Sequence, residues 1–256
     1  MPNQKILYVT TEMFPYQEDT NMGSMVHKMA LKMHGSGNDV RVFMPRFGQI
    51  SERKFQLHEV IRLSGMNIII NDLDQPLIIK VASLPGERLQ VYFIDNEEYF
   101  KRKQFYFDDE GKPFEDNNER AIFFARGVIE TIKKLNWVPD VIHLNGWMAS
   151  LIPIYLKTYY KDDTYFNDTK IVLSVYNEDD IELNSNTKDV LAFDNISDLQ
   201  SLDNPSFLSF VNDSMNYVDV IVKGNEFLEE KLEEAYGKAE VEKLDFLNAD
   251  SIATVY

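Results

Sequence analysis

Residues 5–45 read KILYVTTEMFPYQEDTNMGSMVHKMALKMHGSGNDVRVFMP and decide the fold class. The apolar run ILYV (6–9) is followed by polar residues and a proline, which predicts a buried strand that ends in a loop. Apolar residues then recur at spacings of three and four from Met22 to Met33, which predicts one face of a helix. The run DVRVFMP (39–45) predicts a second strand. A strand, a helix and a strand in this order build a parallel sheet.

The same alternation continues along the chain. An amphipathic helix is predicted over residues 118–135, and the runs VIHL (141–144), KIVLSV (170–175) and YVDVIV (217–222) predict further buried strands. Residues 55–94 predict a meander of short strands at one edge of the sheet. Together these patterns predict one α/β domain with a Rossmann-like, mostly parallel sheet flanked by helices.

Three stretches have no clean period. The aromatic cluster between Tyr99 and Phe114 predicts a small satellite core under a loop, with a sugar-stacking surface as the alternative. Residues 184–212 are rich in Asn, Asp and Ser and predict a long loop with short helical turns. The acidic tail, residues 225–256, predicts a solvated helix.

Composition excludes several classes of function. The 256 residues carry a formal charge of −16, which repels phosphate backbones and anionic lipid, so we expect no nucleic-acid or membrane partner. The absence of cysteine excludes disulfides and thiolate chemistry. No apolar run approaches the ~18 residues of a membrane span. These features favour a cytoplasmic protein and are compatible with neutral ligands such as sugars.

Chemistry is expected in three loops, because ligands of open α/β sheets bind beyond the carboxyl ends of the strands. These loops are residues 12–24, 143–148 and 176–182. The first loop contains a single glycine among several acids, which disfavours a nucleotide phosphate.

Other reactive groups lack the neighbours that their chemistry needs. His27 and His34 have no third metal ligand beside them. The acids of residues 178–182 lack the pattern of a calcium loop and predict a solvated loop. Ser150 and Ser174 have no obvious histidine partner. We therefore predict no metal, no cofactor and no nucleophilic hydrolysis.

Four segments resemble one family, in the right order. They are ILYVTTEMFP (6–15), DVRVFMPRFG (39–48), NERAIFFARGVIETIKKL (118–135) and PDVIHLNGW (139–147). These segments are similar to the amino-terminal half of bacterial glycogen and starch synthases, which are glucosyltransferases of the GT-B fold. The resemblance is sharp over residues 5–48 and 71–157, and it weakens after Tyr159.

The resemblance implies two facing Rossmann-like domains. It places an α-glucan acceptor on the amino-terminal domain and ADP-glucose mainly on the carboxyl-terminal domain, across a cleft. On this basis we expect residues 1–256 to form a single amino-terminal-type domain, with the carboxyl-terminal donor domain absent.

The loop after the first strand departs from the family pattern. The resemblance implies a lysine, a threonine and two glycines that meet the phosphates and glucose of the donor. This chain has Glu18, Asp19, Thr20 and Asn21 in those places. Reversing the sign of one charge ~4 Å from another changes their interaction by roughly 2 to 8 kcal/mol, which disfavours an anionic sugar nucleotide.

The other two loops also differ. Where the resemblance implies a histidine that contacts the transferred glucose, this chain has Asn145, which is followed by Gly146 and Trp147. Asn145 can hydrogen-bond a hydroxyl but cannot carry a proton near neutral pH. At the third loop, a histidine and an asparagine are replaced by Tyr176 and Asn177.

We interpret the chain as a glycogen/starch-synthase-like domain, related to α-1,4-glucan synthesis from ADP-glucose, that is inactive or altered on its own. It would keep α-glucan or maltooligosaccharide binding through Trp147, Asn145 and exposed aromatic residues. Two alternatives stay open. One is the acceptor subunit of a split glycosyltransferase whose donor domain is a separate protein, and the other is a non-catalytic regulatory module. No residue is predicted as catalytic.

Overall fold

A twisted sheet of ten strands organises the computed structural model, which describes residues 3–246 and 248–256. The strands are β1 (Lys5–Thr10), β2 (Asp39–Pro45), β3 (His58–Glu59), β4 (Met66–Ile70), β5 (Leu73–Ser83), β6 (Gln90–Asp95), β7 (Val141–Asn145), β8 (Lys170–Val175), β9 (Val220–Lys223) and β10 (Glu242–Leu244). The helices are α1 (Asn21–Gly35), α2 (Glu52–Phe55), α3 (Glu97–Phe100), α4 (Asn117–Leu135), α5 (Trp147–Lys157), α6 (Thr187–Phe193), α7 (Phe207–Ser214) and α8 (Glu230–Lys238). Within these residues, no helix is long and apolar enough to cross a membrane.

The order of the strands confirms the predicted fold class. It is β10-β9-β8-β7-β1-β2-β6-β5-β3, and β4 pairs with β5 away from this path. Neighbours from β10 to β6 are parallel. β5 is antiparallel to β3, β4 and β6, so the predicted meander forms the edge of a mostly parallel sheet.

The sheet is wound in both directions from its centre. The chain moves from β1 to β2 on one side and from β7 to β8 on the other. Because crossovers between parallel strands are right-handed, α1 and α5 cover opposite faces of the sheet. The adjacent strands β1 and β7 therefore form the switch point, beyond which ligands of such folds bind.

Helix α1 forms where the methionine spacing predicts it. The side chain of Thr20 caps its start by accepting a hydrogen bond from the backbone N–H of Gly23, at 2.9 Å. Met22, Met29 and Met33 are buried against the sheet together with other apolar residues of this helix face. The cap fixes the loop between β1 and α1, which contributes to the site below.

The stretch from 184 to 212 is more regular than predicted. It contains the two helices α6 and α7, and α7 starts with a reciprocal cap between Ser206 and Ser209. The polar residues that suggested a loop are largely caps and turn residues. Phe207, Phe210 and Val211 bury the apolar face of α7.

The prediction of a solvated helix for the tail is wrong in most of its length. Among the residues of the tail that the structure describes, α8 is the α-helix, and even there Leu232 and Tyr236 are buried. The chain then adds β10 beside β9 and returns to the core, where the hydroxyl of Tyr256 lies 2.6 Å from Nδ1 of His143. Acidic residues dominate the composition of this segment, but a few apolar side chains decide where it packs.

Candidate functional site

One pocket lies beyond the carboxyl ends of β1 and β8, beside the switch point. It has a volume of about 590 Å³, within the ~300–1,000 Å³ that is typical of small-molecule sites. Two of the three predicted loops line it, together with residues from the aromatic cluster. The lining residues are Glu12, Thr20, Asn21, Met22, Gln49, Gln104, Phe105, Tyr106, Phe107, Tyr176, Asn177, Glu178, Asp179, Ile181, Phe207 and Asn225. This lining contains carboxylates, amides and aromatic rings and no Lys, Arg or His among the residues that the structure describes.

Glu12 brings a negative charge to the first loop. The hydroxyl of Thr20 donates a hydrogen bond to the Glu12 carboxylate, so the acid lies beside the first turn of α1. Glu18 was expected to supply this charge, but it is exposed to solvent and does not line the pocket. The predicted electrostatic character of the loop therefore rests on a different residue, because the turn points Glu18 away from the pocket.

Glu178 brings a second carboxyl group to the pocket from the loop after β8. It is half-buried, and the prediction of a solvated acidic loop is wrong for this residue. Burial, and next the negative charge of Glu12, raise the pKa of Glu178 to about 8. The backbone N–H of Trp147, at the start of α5, acts on this pKa in the opposite direction. Glu178 therefore carries a proton for most of the time at neutral pH.

Aromatic rings form the opposite wall of the pocket. Phe105, Tyr106 and Phe107 are half-buried in the segment from 101 to 116, which we call the aromatic loop. Phe207, at the start of α7, packs edge-on against Tyr106 at a centroid distance of 5.2 Å. Part of the aromatic cluster is therefore core, as predicted, and part of it lines a cavity. The alternative of a sugar-stacking surface stays a prediction.

Arg120 holds the aromatic loop in place from inside α4. It is fully buried, and its guanidinium donates to the carbonyl oxygens of Tyr99 (2.8 Å) and Phe105 (2.7 Å) and to the Asn117 side chain (2.7 Å). Burial lowers the pKa of Arg120 to about 10. One buried cation therefore ties α4 to the wall of the pocket.

Trp147 is not available for sugar stacking, which corrects the prediction made for it. Its side chain is 0% exposed, and its ring stacks on Phe207 at a centroid distance of 3.6 Å with the planes 14° apart. As the first residue of a helix that covers the sheet, Trp147 packs inward. Trp147 is not among the residues that line the pocket.

Asn145 and Tyr176 are joined to each other within the core. The Tyr176 hydroxyl donates to Oδ1 of Asn145 at 3.1 Å, and the Asn145 amide donates to the carbonyl oxygen of His143 at 3.2 Å. Asn145 is 0% exposed, so it cannot bind a sugar hydroxyl without a rearrangement, and its predicted direct contact is not supported by this geometry. Tyr176 does line the pocket.

Asn177 lies in the pocket rim, where its side chain organises the loop. Its amide donates to the carbonyl oxygen of Phe227, and its Oδ1 accepts from the backbone N–H of Glu229, both at 2.9 Å. Asn177 is exposed, as expected for a residue at the edge of a site. Its contribution is the shape of the rim.

Ser174 has a histidine partner, contrary to the sequence prediction. Its hydroxyl lies 2.7 Å from Nε2 of His143, and Nδ1 of His143 lies 2.6 Å from the hydroxyl of Tyr256, which in turn donates to Tyr8. The strands β7 and β8 bring together two residues that are 31 apart in sequence. Ser174 and His143 are buried away from the pocket lining, so this network is part of the core.

The buried His143 predicts acid sensitivity. Burial lowers the pKa of His143 to about 3, while an unfolded chain has a histidine pKa of ~6.5. The unfolded state therefore binds the extra proton first, and stability that is present above pH 6.5 is lost progressively as the pH falls towards 3. Between pH 6.5 and 4.5 this group alone should remove about 2 kcal/mol from the free energy of unfolding.

Urea unfolding at both pH values should show that loss in the native chain and a smaller one in His143→Gln. His58→Gln is the control, because His58 is exposed, and it should lose as much stability as the native chain. An equal loss in the native chain and in His143→Gln would contradict the low pKa of His143.

Metal ligands do not assemble in the part of the chain that the structure describes. No group of three or more His, Cys, Asp or Glu side chains there has the geometry to hold a metal ion. Nδ1 of His27 lies 2.9 Å from the carbonyl oxygen of Phe14, so this ring nitrogen already has a hydrogen-bond partner.

Comparison with known proteins gives the family. The sequence profile of the starch synthase catalytic domain matches residues 5–248. The chain belongs to this family. The glycogen synthase of Chlorobium limicola is 39% identical over 176 residues, which are 68% of this chain and 36% of that protein. The glycogen synthase of Chlorobaculum tepidum is 37% identical over a stretch of the same length. The chain thus spans about a third of the length of the curated glycogen synthases that it matches.

A solved starch synthase has the same fold. The catalytic domain of starch synthase IV from Arabidopsis thaliana, bound to ADP and acarbose, matches with a TM-score of 0.72 and 17% identity. The match covers 96% of this chain and 52% of the other. The predicted resemblance to the amino-terminal part of the starch synthase family, and the GT-B-type fold, are confirmed.

The sequence did not single out Glu12 and Glu178 as residues of this pocket, and it left open whether the aromatic loop is core or faces a ligand. The loops themselves were predicted from the strand order, but which acid points inwards depends on the turn. The sequence position of Glu12 was informative, because Glu12 lies two residues after the end of β1, where ligands of such sheets bind. No local signal could show that residues 105–107 face residues 176–179, because the two segments are about 70 residues apart.

Proposed function

We propose that this domain binds a segment of α-glucan or maltooligosaccharide in the pocket and serves as the acceptor side of a glycogen/starch-synthase-type glucosyltransferase. The observation that carries the proposal is the lining of the pocket. The aromatic residues 105–107 line the same cavity as the carboxyl groups of Glu12 and Glu178, and no basic side chain lines the cavity in the described chain. Sugar faces stack on aromatic rings, and carboxyl and amide groups bind hydroxyls without needing a charged ligand.

The same lining disfavours an anionic donor. A sugar nucleotide carries a diphosphate, and the acids that line this pocket besides the protonated Glu178 are Glu12 and Asp179. Like charges ~4 Å apart repel by about 1 kcal/mol in water and about 4 kcal/mol at an effective dielectric of 20. We propose that residues 1–256 act as one domain that needs donor-binding residues from another domain or chain, and that it has little or no transferase activity on its own. A cytoplasmic location stays a prediction.

The ligands bound to a solved protein of the same fold support the proposal. Starch synthase IV was solved with ADP and acarbose, so a protein with this fold accommodates a nucleotide and an oligosaccharide analogue. A chain that covers about half of that structure is expected to hold part of such a site. The acceptor side is the part for which this chain retains suitable groups.

Calorimetric titration with maltoheptaose tests the proposal. The native chain should bind maltoheptaose at pH 7 and show no binding of ADP-glucose at the same concentration. Phe107→Ala should weaken maltoheptaose binding by roughly 10-fold, because stacking on one aromatic ring contributes about 1 kcal/mol or more. Phe193→Ala is the matched control, since Phe193 is 52% exposed and lies outside the pocket.

The outcomes separate the candidate functions. Absence of maltoheptaose binding would refute the acceptor role and leave the regulatory module. Tight binding of ADP-glucose with steady release of ADP would refute the claim of little activity. Activity that appears only when a donor-domain protein is added would favour a split transferase.

A further inference from the structure

The segment between β9 and α8, residues 224–229, is attached to two residues that line the pocket, and we call it the rim loop. The side-chain amide of Asn21 donates to a backbone carbonyl oxygen of this loop at 3.2 Å. Asn177 donates to the carbonyl oxygen of Phe227 and accepts from the backbone N–H of Glu229, both at 2.9 Å. These bonds fix the backbone of the rim loop beside the pocket.

The fixed backbone leaves the ring of Phe227 in solvent. Phe227 is 78% exposed, while the next residue, Leu228, packs against the core. Single exposed apolar residues are common on protein surfaces, but this one has a particular place. It lies two residues from Asn225, which lines the pocket, and its carbonyl oxygen is bound by Asn177, which also lines it. The rim loop therefore continues the pocket with an apolar ring outside the lining itself.

Asn225 supplies a hydrogen-bond donor in the same loop. Its Oδ1 accepts from the backbone N–H of Asn177 at 2.9 Å. This bond sets the orientation of the amide, so Nδ2 is the atom that can donate to a ligand in the pocket. An amide donor close to an apolar ring suits a sugar, which combines hydroxyl oxygens with an apolar face.

The size and charge of this surface favour a sugar over a protein or an anion. Stable protein interfaces bury ~800 Å² on each partner, whereas the rim loop offers the exposed ring of Phe227. The acids Glu226, Glu229 and Glu230 are exposed in and next to the loop and repel anionic ligands. A neutral glucan needs no positive charge, and one aromatic ring covers one face of a glucose unit.

We propose that Phe227 and Asn225 form an outer subsite, over which an α-glucan longer than the pocket continues. This inference rests on the proposed function and adds a preference for long chains to it. Phe227 stacks on one glucose unit, and the Asn225 amide donates to a hydroxyl oxygen of the same chain. Because the rim loop is already fixed, little conformational entropy is lost when the glucan binds. An oligosaccharide that fills only the pocket does not reach Phe227.

Calorimetric titration with maltotriose and maltoheptaose tests the proposal. The native chain should bind maltoheptaose at least roughly 5-fold more tightly than maltotriose. Phe227→Ala removes one stacking ring, so it should weaken maltoheptaose binding roughly 5-fold and change maltotriose binding less than about 2-fold. Phe227→Tyr keeps a ring and should recover most of the native preference. Glu226→Ala, at an exposed position of the same loop, is the matched control and should keep the native affinities.

A second variant separates the donor from the structure of the loop. Asn225→Asp keeps an oxygen that accepts from the backbone N–H of Asn177 but removes the amide donor. Its affinity for maltoheptaose should fall roughly 3-fold, while its thermal unfolding midpoint stays native.

The outcomes distinguish this proposal from the proposed function. Equal affinity of the native chain for both sugars, or native maltoheptaose binding by Phe227→Ala, would overturn the outer subsite while leaving glucan binding in the pocket intact. Absence of maltoheptaose binding to the native chain would overturn both.

Discussion

Replacing Arg120 by methionine is expected to lower the free energy of unfolding by about 3 kcal/mol and to weaken maltoheptaose binding by at least roughly 10-fold. Methionine keeps the apolar stem but leaves the carbonyl oxygens of Tyr99 and Phe105 without their buried donor. Unpaired buried acceptors cost ~1–3 kcal/mol each, and part of that cost is offset because a buried charge is removed. The aromatic loop should then move, since its link to α4 is lost.

Urea unfolding and calorimetric titration measure the two effects. Lys103→Met is the matched control, because Lys103 lies in the same loop and is exposed. It should change neither quantity appreciably. An Arg120→Met protein that is destabilised yet binds maltoheptaose with native affinity would show that Arg120 supports the fold without positioning the pocket wall.

Replacing Gly146 by alanine should have the largest effect on stability, a loss of about 4 kcal/mol or more. Gly146 has φ +87° and ψ 154°, a conformation that is almost restricted to glycine. A Cβ there would also overlap the Thr11 side chain and come within 3.2 Å of the Met22 sulfur. The residue turns the chain from β7 into α5 and packs beside Met22, which lines the pocket, so the site should be lost with the fold.

The matched control for this change is Gly237→Ala in α8. Gly237 is helical and exposed, and nothing lies within 4 Å of a Cβ built there. Because alanine is a better helix former, this variant should be up to about 1 kcal/mol more stable. Thermal and urea unfolding of both variants would check the contrast, and a Gly146→Ala protein of native stability would show that the loop relaxes freely.

The fold was largely predictable from local pattern, for reasons that particular residues show. From Met22 to Met33 the apolar residues recur at the spacing of a helix. The apolar runs in β1, β7 and β8 are continuous because both faces of a parallel sheet are covered. The tail was mispredicted because its burial depends on a few apolar side chains, such as Tyr236 and Val255, in a strongly acidic stretch.

The site was predictable only at the level of loops. The strand order places residues 12–24 and 176–182 at one edge, and both line the pocket. Whether a side chain of such a loop points inwards is decided by tertiary contacts. Trp147 turns into the core because Phe207 covers its ring, and Glu12 turns into the pocket because Thr20 holds it. Neither contact has a local signature in the sequence.

A crystal of the native chain soaked with both maltoheptaose and ADP-glucose tests the central claim most directly. We expect glucose units along the rings of residues 105–107, with a hydroxyl within hydrogen-bond distance of Glu178, and no nucleotide beside Glu12. A diphosphate seated against Glu12 at the start of α1, with the aromatic loop free of sugar, would contradict the account.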